Sequence, residues 1–163
     1  ALMILTGCLN MDEAYRFIDW RAVFLMAGML PLGIAMEKTG TAQFLAGGVI
    51  ALVGDLGPRA VVAAVFLLTS LASQVMPNAA TAVLLFPIAL STASNLNISP
   101  YPLMMTVAVS ASAAFLSPVA HAANVLIMGP GGYRFRDYLR VGIPLTLVVM
   151  AVVLLILPFF WPL

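Results

Sequence analysis

The residues of this chain that are best suited to chemistry lie in a long stretch without charged side chains. Residues 60–133 contain no Asp, Glu, Lys or Arg, yet they include Asn78, Thr81, His121 and Asn124. Amide, hydroxyl and imidazole groups can donate hydrogen bonds to an anion, and main-chain carbonyls suit a hard cation such as Na⁺. Because the stretch has no carboxylate, a carboxylate proton relay must come from elsewhere or not exist. These residue types favour the binding of small ions.

Two groups of turn-forming residues interrupt the apolar pattern of this stretch. Residues 74–78, Gln-Val-Met-Pro-Asn, follow an apolar run of only about 13 residues, which is roughly 20 Å of helix. That length is too short to cross a hydrocarbon core of about 30 Å. Residues 116–124, Leu-Ser-Pro-Val-Ala-His-Ala-Ala-Asn, form the second interruption. Irregular backbone at membrane depth is tolerated only where it lines a cavity or is buried in protein, so both interruptions should face a protected site.

Helices that begin at such interruptions supply a physical reason for anion binding. We expect Thr81 and Val125 to begin two half-helices, and each helix N-terminus is equivalent to about +0.5 charge. Such a terminus attracts an anion without a buried cation. The carbonyl groups that precede each interruption, around Ser73 and Ser117, suit a cation such as Na⁺.

Two of these polar residues have alternative interpretations. His121, the single histidine, either binds the substrate as imidazolium or donates to a carbonyl as a neutral, structural side chain. In the first case uptake should strengthen as the pH falls. Asn78 either binds the anion or caps the helix that follows it, and the two roles are compatible.

The composition predicts a membrane protein. The chain is 63% hydrophobic and 8% charged, with a mean hydropathy of +1.11, whereas soluble domains are about 45–50% apolar and about 25% charged. A domain of this size buries only about 70% of its unfolded surface, so lipid must cover the rest. The net charge of +1 argues against a strongly basic nucleic-acid binder. Cys8, which has no metal-ligand spacing around it, is interpreted as a packing residue.

The elements that position the polar residues are predicted to be helices. We expect an all-α polytopic membrane protein that forms one inverted repeat of a permease, with a re-entrant helical hairpin and a broken transmembrane helix. The chain begins inside an apolar run, which we interpret as the tail of an earlier helix in a longer protein. The predicted segments are a transmembrane helix at 20–36, an interfacial or oblique helix at 41–54, the hairpin at 60–95, the broken helix at 102–129 and a last transmembrane helix at 141–161.

The distribution of basic residues predicts the orientation. With an odd number of crossings around the hairpin, five arginines lie on one side, and Lys38 and Arg59 lie on the other. The positive-inside rule makes the five-arginine side cytoplasmic, so the hairpin opens outward, in what we expect to be a bacterial cytoplasmic membrane. The five are Arg16, Arg21, Arg134, Arg136 and Arg140.

At the two interruptions the sequence resembles the divalent-anion/sodium symporter family, the citrate, dicarboxylate and sulfate permeases of the ion-transporter group. Residues 77–79, Pro-Asn-Ala, stand where that family has Ser-Asn-Thr. Residues 118–124, Pro-Val-Ala-His-Ala-Ala-Asn, are similar to its Pro-Val-Ala-Thr-Pro-Pro-Asn segment. Residues 129–135, Gly-Pro-Gly-Gly-Tyr-Arg-Phe, resemble the branch that carries cytosolic regulatory modules between its two halves. The resemblance covers nearly the whole chain, as the carboxy-terminal repeat.

The resemblance implies secondary active transport of a small, divalent anion such as sulfate or a dicarboxylate, with Na⁺ as coupling ion and no other cofactor. It also implies a homodimer and a partner half, the amino-terminal repeat. The loss of two tip hydroxyls leaves proton coupling open. Substrate residues carried over from the family are Asn78, Ala79, Thr81, His121 and Asn124. The sodium residues are Ser73, Pro77, Asn78, Ala120 and Ala122.

Three other function classes compete with the transporter. A passive anion channel would share the hairpin but could not concentrate its ion. A non-transporting assembly subunit is favoured by the fact that one repeat supplies only half of a site between repeats. A membrane enzyme is disfavoured, because the chain has neither a Gly-x-Ser-x-Gly nor a His-Glu-x-x-His pattern.

Overall fold

A computed structural model describes Gly7 and residues 10–16, 20–118 and 120–161 of the chain, and every regular element in these ranges is helical. The predicted all-α class is confirmed. Along the described chain the α-helices are α1 (Met11–Arg16), α2 (Trp20–Lys38), α3 (Thr41–Val53), α4 (Pro58–Ala72), α5 (Asn78–Leu96), α6 (Pro100–Ser112), α7 (Ala122–Met128) and α8 (Phe135–Phe160), with a 3-10 turn at Gly54–Leu56.

Local residues explain where several helices begin and end. Pro58 and Pro100 occupy the first positions of α4 and α6, where no N–H is needed and the fixed φ suits a helix. Asn97 ends α5 in the left-handed conformation, at φ 53°, which Asn adopts more readily than most residues. Helix α8 follows Arg134, whose main-chain N–H donates to Asp137 Oδ2 at 2.7 Å. That bond satisfies an N–H group at the start of the helix.

Helix α5 occupies the centre of the bundle, since it contacts α2, α3, α4 and α6. Helices α4 and α6 also pack against each other, and α8 lies against both at the periphery. Phe66 on α4 and Leu103 and Val107 on α6 are fully buried. Helix α3 buries Ala42 and Ala46 completely, because small side chains let helices approach closely. The packing of α4 on α6 places the ends of these two helices side by side.

Two of the described helices, α5 and α8, are long and apolar enough to cross a membrane. They differ in environment, because α5 lies within the bundle whereas most of α8 is exposed. Leu155 and Phe159 on α8, for example, are 67% and 88% exposed. Apolar surface in water is unfavourable by about 25 cal/mol per Å². The outer face of α8 is therefore a surface for lipid or for another protein segment.

Candidate functional site

The first interruption lies between the end of α4 and the start of α5 and comprises residues 73–77. Ser73 is fully buried, and its Oγ donates to the carbonyl of Ser70 at 2.8 Å. The carbonyl of Pro77 accepts the N–H of Thr81 at 2.9 Å, which starts the hydrogen bonding of α5. Among the described residues, no main-chain N–H outside the helices donates to the main-chain oxygens of residues 73–76. Main-chain carbonyls at such an interruption can bind a cation.

The second interruption lies between α6 and α7, at residues 113–121, and Val119 falls outside the described residues. The side chain of Asn124 stabilises this segment. Its Nδ2 donates to the carbonyls of Ala114 at 3.2 Å and Ser117 at 3.1 Å. Because an amide nitrogen has only two hydrogens, both donors of Asn124 are occupied by the chain itself. The structure thus places Asn124, a predicted substrate residue, in a bracing position.

Two polar side chains connect the two interruptions: Ser70 near the end of α4 and Gln74 just after that helix. Ser70 Oγ donates to the carbonyl of Ala113 at 3.1 Å. Gln74 Nε2 donates to the carbonyl of Ser70 at 2.7 Å, and Gln74 Oε1 accepts the N–H of Leu116 at 3.2 Å. The two segments that sequence analysis expected to face a protected site are therefore neighbours. Sequence analysis gave no role to Ser70 or Gln74, although a polar amide directly after a short apolar run was a signal for one.

The start of α5 holds two polar atoms without partners. Asn78 Oδ1 and Thr81 Oγ1 are both buried, and neither has a hydrogen-bond partner among the described residues. Leaving a buried polar group unpaired is unfavourable by about 1–3 kcal/mol. A ligand that supplied the missing partner would remove this penalty. The Asn78 amide has an acceptor oxygen at one end and an NH₂ donor at the other. Rotating the amide by about 180° exchanges them, so the side chain can bind either a cation or an anion.

The unpaired state of Thr81 is unusual within this molecule. The buried hydroxyls of Thr69, Thr92 and Thr106 each donate to the carbonyl four residues earlier, at 2.7 Å. Thr81 is equally buried, at 0% exposure, and its hydroxyl makes no such bond. Among the described residues, Thr146 on α8 is the other threonine whose buried hydroxyl has no partner. Thr81 is thus the threonine beside the first interruption whose buried hydroxyl has no partner among the described residues.

The half-helices begin earlier than the sequence indicated. Helix α5 starts at Asn78 and α7 at Ala122, three residues before the predicted starts at Thr81 and Val125. Pro77 occupies the N-cap position of α5, and no side-chain bond caps the helix. The capping alternative for Asn78 is therefore wrong, because Asn78 Oδ1 accepts no N–H from the first turn of α5. Asn78 and Ala79 form the first turn of α5.

His121 has a local role that neither interpretation of the sequence included. It precedes α7, and its Nδ1 accepts the N–H of Ala123 at 3.2 Å, which caps the helix. The ring is exposed, and its Nε2 is not used by any described partner. A nitrogen that accepts this bond carries no proton, so protonation of Nδ1 would remove the cap. Of the other predicted residues here, Ala120 is half-buried directly before His121, and Ala122 is the first residue of α7.

Helix α8 braces the second interruption from outside. Tyr138 OH donates to the carbonyl of Asn124 at 2.7 Å. A Cβ on Gly142 would overlap the carbonyl oxygen of Phe115 and would lie 3.0 Å from the Cα of Leu116. Only glycine permits this approach of α8 to the interrupted backbone. Sequence analysis predicted no contact of Gly142 or Tyr138 with the interruption, because a close approach of this kind has no local signature.

Comparison with known proteins identifies the group to which the chain belongs. The family described as citrate transporter matches residues 1–97 and 57–162. Over 95% of its length the chain is 39% identical to an uncharacterized transporter of Escherichia coli, YfbS, and covers 25% of that protein. It is 32% identical over 93% of its length to sodium/sulfate cotransporter 2 of Chlamydomonas reinhardtii, of which it covers 17%. Over 99% of its length it is 25% identical to the sodium-dependent dicarboxylate transporter SdcS of Staphylococcus saprophyticus, and it covers 32% of that protein.

The chain spans about a quarter of the length of the first of these curated relatives. These relatives are named as transporters. Together with the apolar composition of this chain, they indicate an integral membrane protein. The resemblance to this family over nearly the whole chain is confirmed by these matches. This chain is a member of the citrate transporter family, among the divalent-anion/sodium symporters.

Proposed function

We propose that this chain is part of a secondary active transporter that moves a small anion, such as sulfate or a dicarboxylate, across the membrane by alternating access. The observation that carries the proposal is the pair of buried, unpartnered atoms Asn78 Oδ1 and Thr81 Oγ1 beside the first interruption. The names of two relatives, a sodium/sulfate cotransporter and a sodium-dependent dicarboxylate transporter, support the anion class.

In the membrane, α4 and α5 are proposed to form a re-entrant hairpin, and α6 and α7 a broken transmembrane helix. The lengths of α4 and α6 support a hairpin arm and a broken helix, since their 15 and 13 residues are roughly 22 and 20 Å, against a hydrocarbon core of about 30 Å. Helix α5, with 19 residues, is long enough to cross that core by itself, so the hairpin is proposed from the short α4 and from the contact between the two interruptions. The hydrogen bonds of Ser70 and Gln74 would then hold the two interruptions together at the depth of the ion site.

Sodium is the proposed coupling ion. The main-chain oxygens of residues 73–76, which accept no main-chain N–H outside the helices among the described residues, and the acceptor Asn78 Oδ1 suit a hard cation, as do carbonyl groups in transporters generally. The predicted sodium residues Ser73, Pro77, Ala120 and Ala122 lie in or next to the two interruptions. The anion is proposed to bind beside the cation, with donors from Asn78, Thr81 and His121 Nε2. Opposite charges at neighbouring sites stabilise each other, which couples the binding of the two ions.

The proposed complete transporter needs parts beyond this chain. Binding sites in this type of transporter lie between two inverted repeats, so an amino-terminal half would supply the second side of the site, and the assembly is proposed to be a homodimer. The arginines at the start of α8, with Arg16 and Arg21, are proposed to face the cytoplasm of a bacterium.

The test is uptake by the full-length protein in proteoliposomes. We expect labelled sulfate, succinate or citrate to accumulate above its external concentration when an inward Na⁺ gradient is imposed, and to exchange in counterflow. Uptake that never exceeds equilibrium would indicate a passive channel. Accumulation driven by a pH gradient without Na⁺ would replace sodium by protons as the coupling ion. If the folded full-length protein shows no saturable flux of any of the three anions, the result would favour the assembly subunit and contradict the proposal.

A further inference from the structure

A basic pocket and an apolar groove lie next to each other at the start of α8. The basic pocket has a volume of about 440 Å³ and is lined by Arg134, Arg136, Asp137 and Arg140. The apolar groove has a volume of about 340 Å³, and Asp137 lines it as well. The other groove residues include Phe115, Ile127, Tyr133, Tyr138, Val141 and Leu145. The charged cavity and the apolar groove therefore adjoin at Asp137.

The charged end has an excess of positive charge. Three exposed arginines surround a single aspartate. One oxygen of that aspartate, Asp137 Oδ2, accepts the main-chain N–H of Arg134 at 2.7 Å. None of the three guanidinium groups forms an ion pair with another described residue. Guanidinium groups match the geometry of phosphate oxygens and bind them through paired hydrogen bonds.

The apolar end is lined by the aromatic rings of Tyr133 and Tyr138. The rings of Tyr133 and Tyr138 meet edge to face, with centroids 6.2 Å apart. The hydroxyl of Tyr138 donates to the carbonyl of Asn124, so the rest of that ring presents carbon to the groove. Beyond Tyr138, Val141 is 63% exposed and begins the apolar outer surface of α8. The groove thus continues into the surface that lipid is expected to cover.

We infer that this combined site binds an anionic phospholipid. Its phosphate would lie among the three guanidinium groups, and the upper part of an acyl chain would lie in the groove between Ile127 and Leu145. Inorganic phosphate has the same anionic group, but it would leave the apolar groove unfilled. A zwitterionic lipid has the acyl chains, but its cationic headgroup opposes the arginines. The site fits the ligand that has both properties.

Occupancy has a structural consequence for the ion site. The inner wall of the groove includes Phe115 and Asn124, which belong to the second interruption and to the helix that follows it. A lipid in the groove would fill the space between α7 and α8 and would stabilise their contact through Tyr138. This inference does not depend on which ion is transported.

The experiment is lipid binding by the full-length protein in detergent, measured by native mass spectrometry and by the shift of Tm. The probes are phosphatidylglycerol, phosphatidylcholine and inorganic phosphate. We expect phosphatidylglycerol to bind and to raise Tm, and the other two probes to do neither. The triple variant Arg134→Gln, Arg136→Gln, Arg140→Gln should bind phosphatidylglycerol on the order of 100-fold more weakly, given the typical contribution of each basic residue near a membrane surface. The cap of α8 survives these changes, because the main chain of residue 134 makes it.

Two further variants keep the outcome decisive. Ile127→Trp should fill the groove and lower phosphatidylglycerol affinity without changing any charge, and Arg136→Gln alone, which perturbs folding least, should weaken binding about fivefold. Arg59→Gln, an exposed arginine before the body of α4, is the matched control and should leave binding unchanged. Equal binding of phosphatidylcholine, equal loss in Arg59→Gln, or a phosphate-induced Tm shift as large as that of the lipid would overturn the inference.

Discussion

The side-chain carbonyl of Gln74 accepts the main-chain N–H of Leu116 at 3.2 Å, across 42 residues of sequence. The other end of the same amide donates to the carbonyl of Ser70 at 2.7 Å. One side chain thus pairs with the backbone of α4 and with the backbone of the second interruption. Without it, the N–H of Leu116 would lose its partner in an interior where water is scarce.

We expect Gln74→Leu, which keeps the size of the side chain and removes both hydrogen bonds, to destabilise the protein by about 1–3 kcal/mol. It should also lower the maximal rate of uptake, because the two interruptions would no longer be held in register. The measurements are Tm in detergent and initial rates in proteoliposomes. Gln43→Leu on the exposed face of α3 is the control and should change neither quantity. If both variants behave alike, Gln74 does not position the site.

We expect Asn78→Asp to abolish anion uptake while the amount of protein at the cell surface stays normal. The substitution places a negative charge where the anion is proposed to bind, and it removes the NH₂ donors of the amide. Asn95→Asp, exposed in the last turn of α5, serves as control and should transport normally. Retained uptake by Asn78→Asp would contradict the placement of the anion at this residue.

The two threonines Thr81 and Thr92 on α5 allow stability and binding to be separated. Thr81→Val removes an unpaired buried hydroxyl, so stability should be unchanged or slightly higher, whereas the apparent affinity for the anion or for Na⁺ should fall. Thr92→Val removes a hydrogen bond to Ile88 and should lower stability by about 1 kcal/mol with affinity unchanged. Unfolding curves and the concentration dependence of uptake measure the two effects. The reverse pattern would assign Thr81 to packing.

Gly142→Ala is expected to be strongly destabilising, by about 1–3 kcal/mol or more. The new Cβ would lie 2.7 Å from the carbonyl carbon of Phe115, and no flexible side chain is present there that could move away. Gly47→Ala in α3 is the control, since a Cβ meets nothing within 4 Å there. Alanine should stabilise that helix by about 0.5–1 kcal/mol. Tm values that move in opposite directions support the close approach, and equal shifts contradict it.

His121→Asn is expected to fold normally, because asparagine can replace the imidazole as the cap of α7. It removes Nε2, which is the ring atom proposed to reach the anion. The apparent affinity should therefore fall. The concentration dependence of uptake measures this change. An unchanged affinity would restrict His121 to capping.

The fold class and the family could be predicted from the sequence, whereas the exact starts of two helices could not. The all-helical fold and the family were predicted correctly, because hydrophobic composition and short motifs such as residues 118–124 need no knowledge of contacts. The starts of α5 and α7 were each placed three residues late. Polar residues were assumed to lie outside the helix, whereas Pro77 and His121 allow the following residues to become helical at once.

The composition alone was enough to predict a membrane protein. The fractions of apolar and charged residues are counted from the sequence and do not depend on how the chain folds. Only the tertiary structure decided which polar groups are available. Asn124 donates to the carbonyls of Ala114 and Ser117, whereas the hydroxyl of Thr81 has no partner among the described residues. The physical reason is that a hydrogen bond depends on the position of both partners, and these partners are brought together by helix packing.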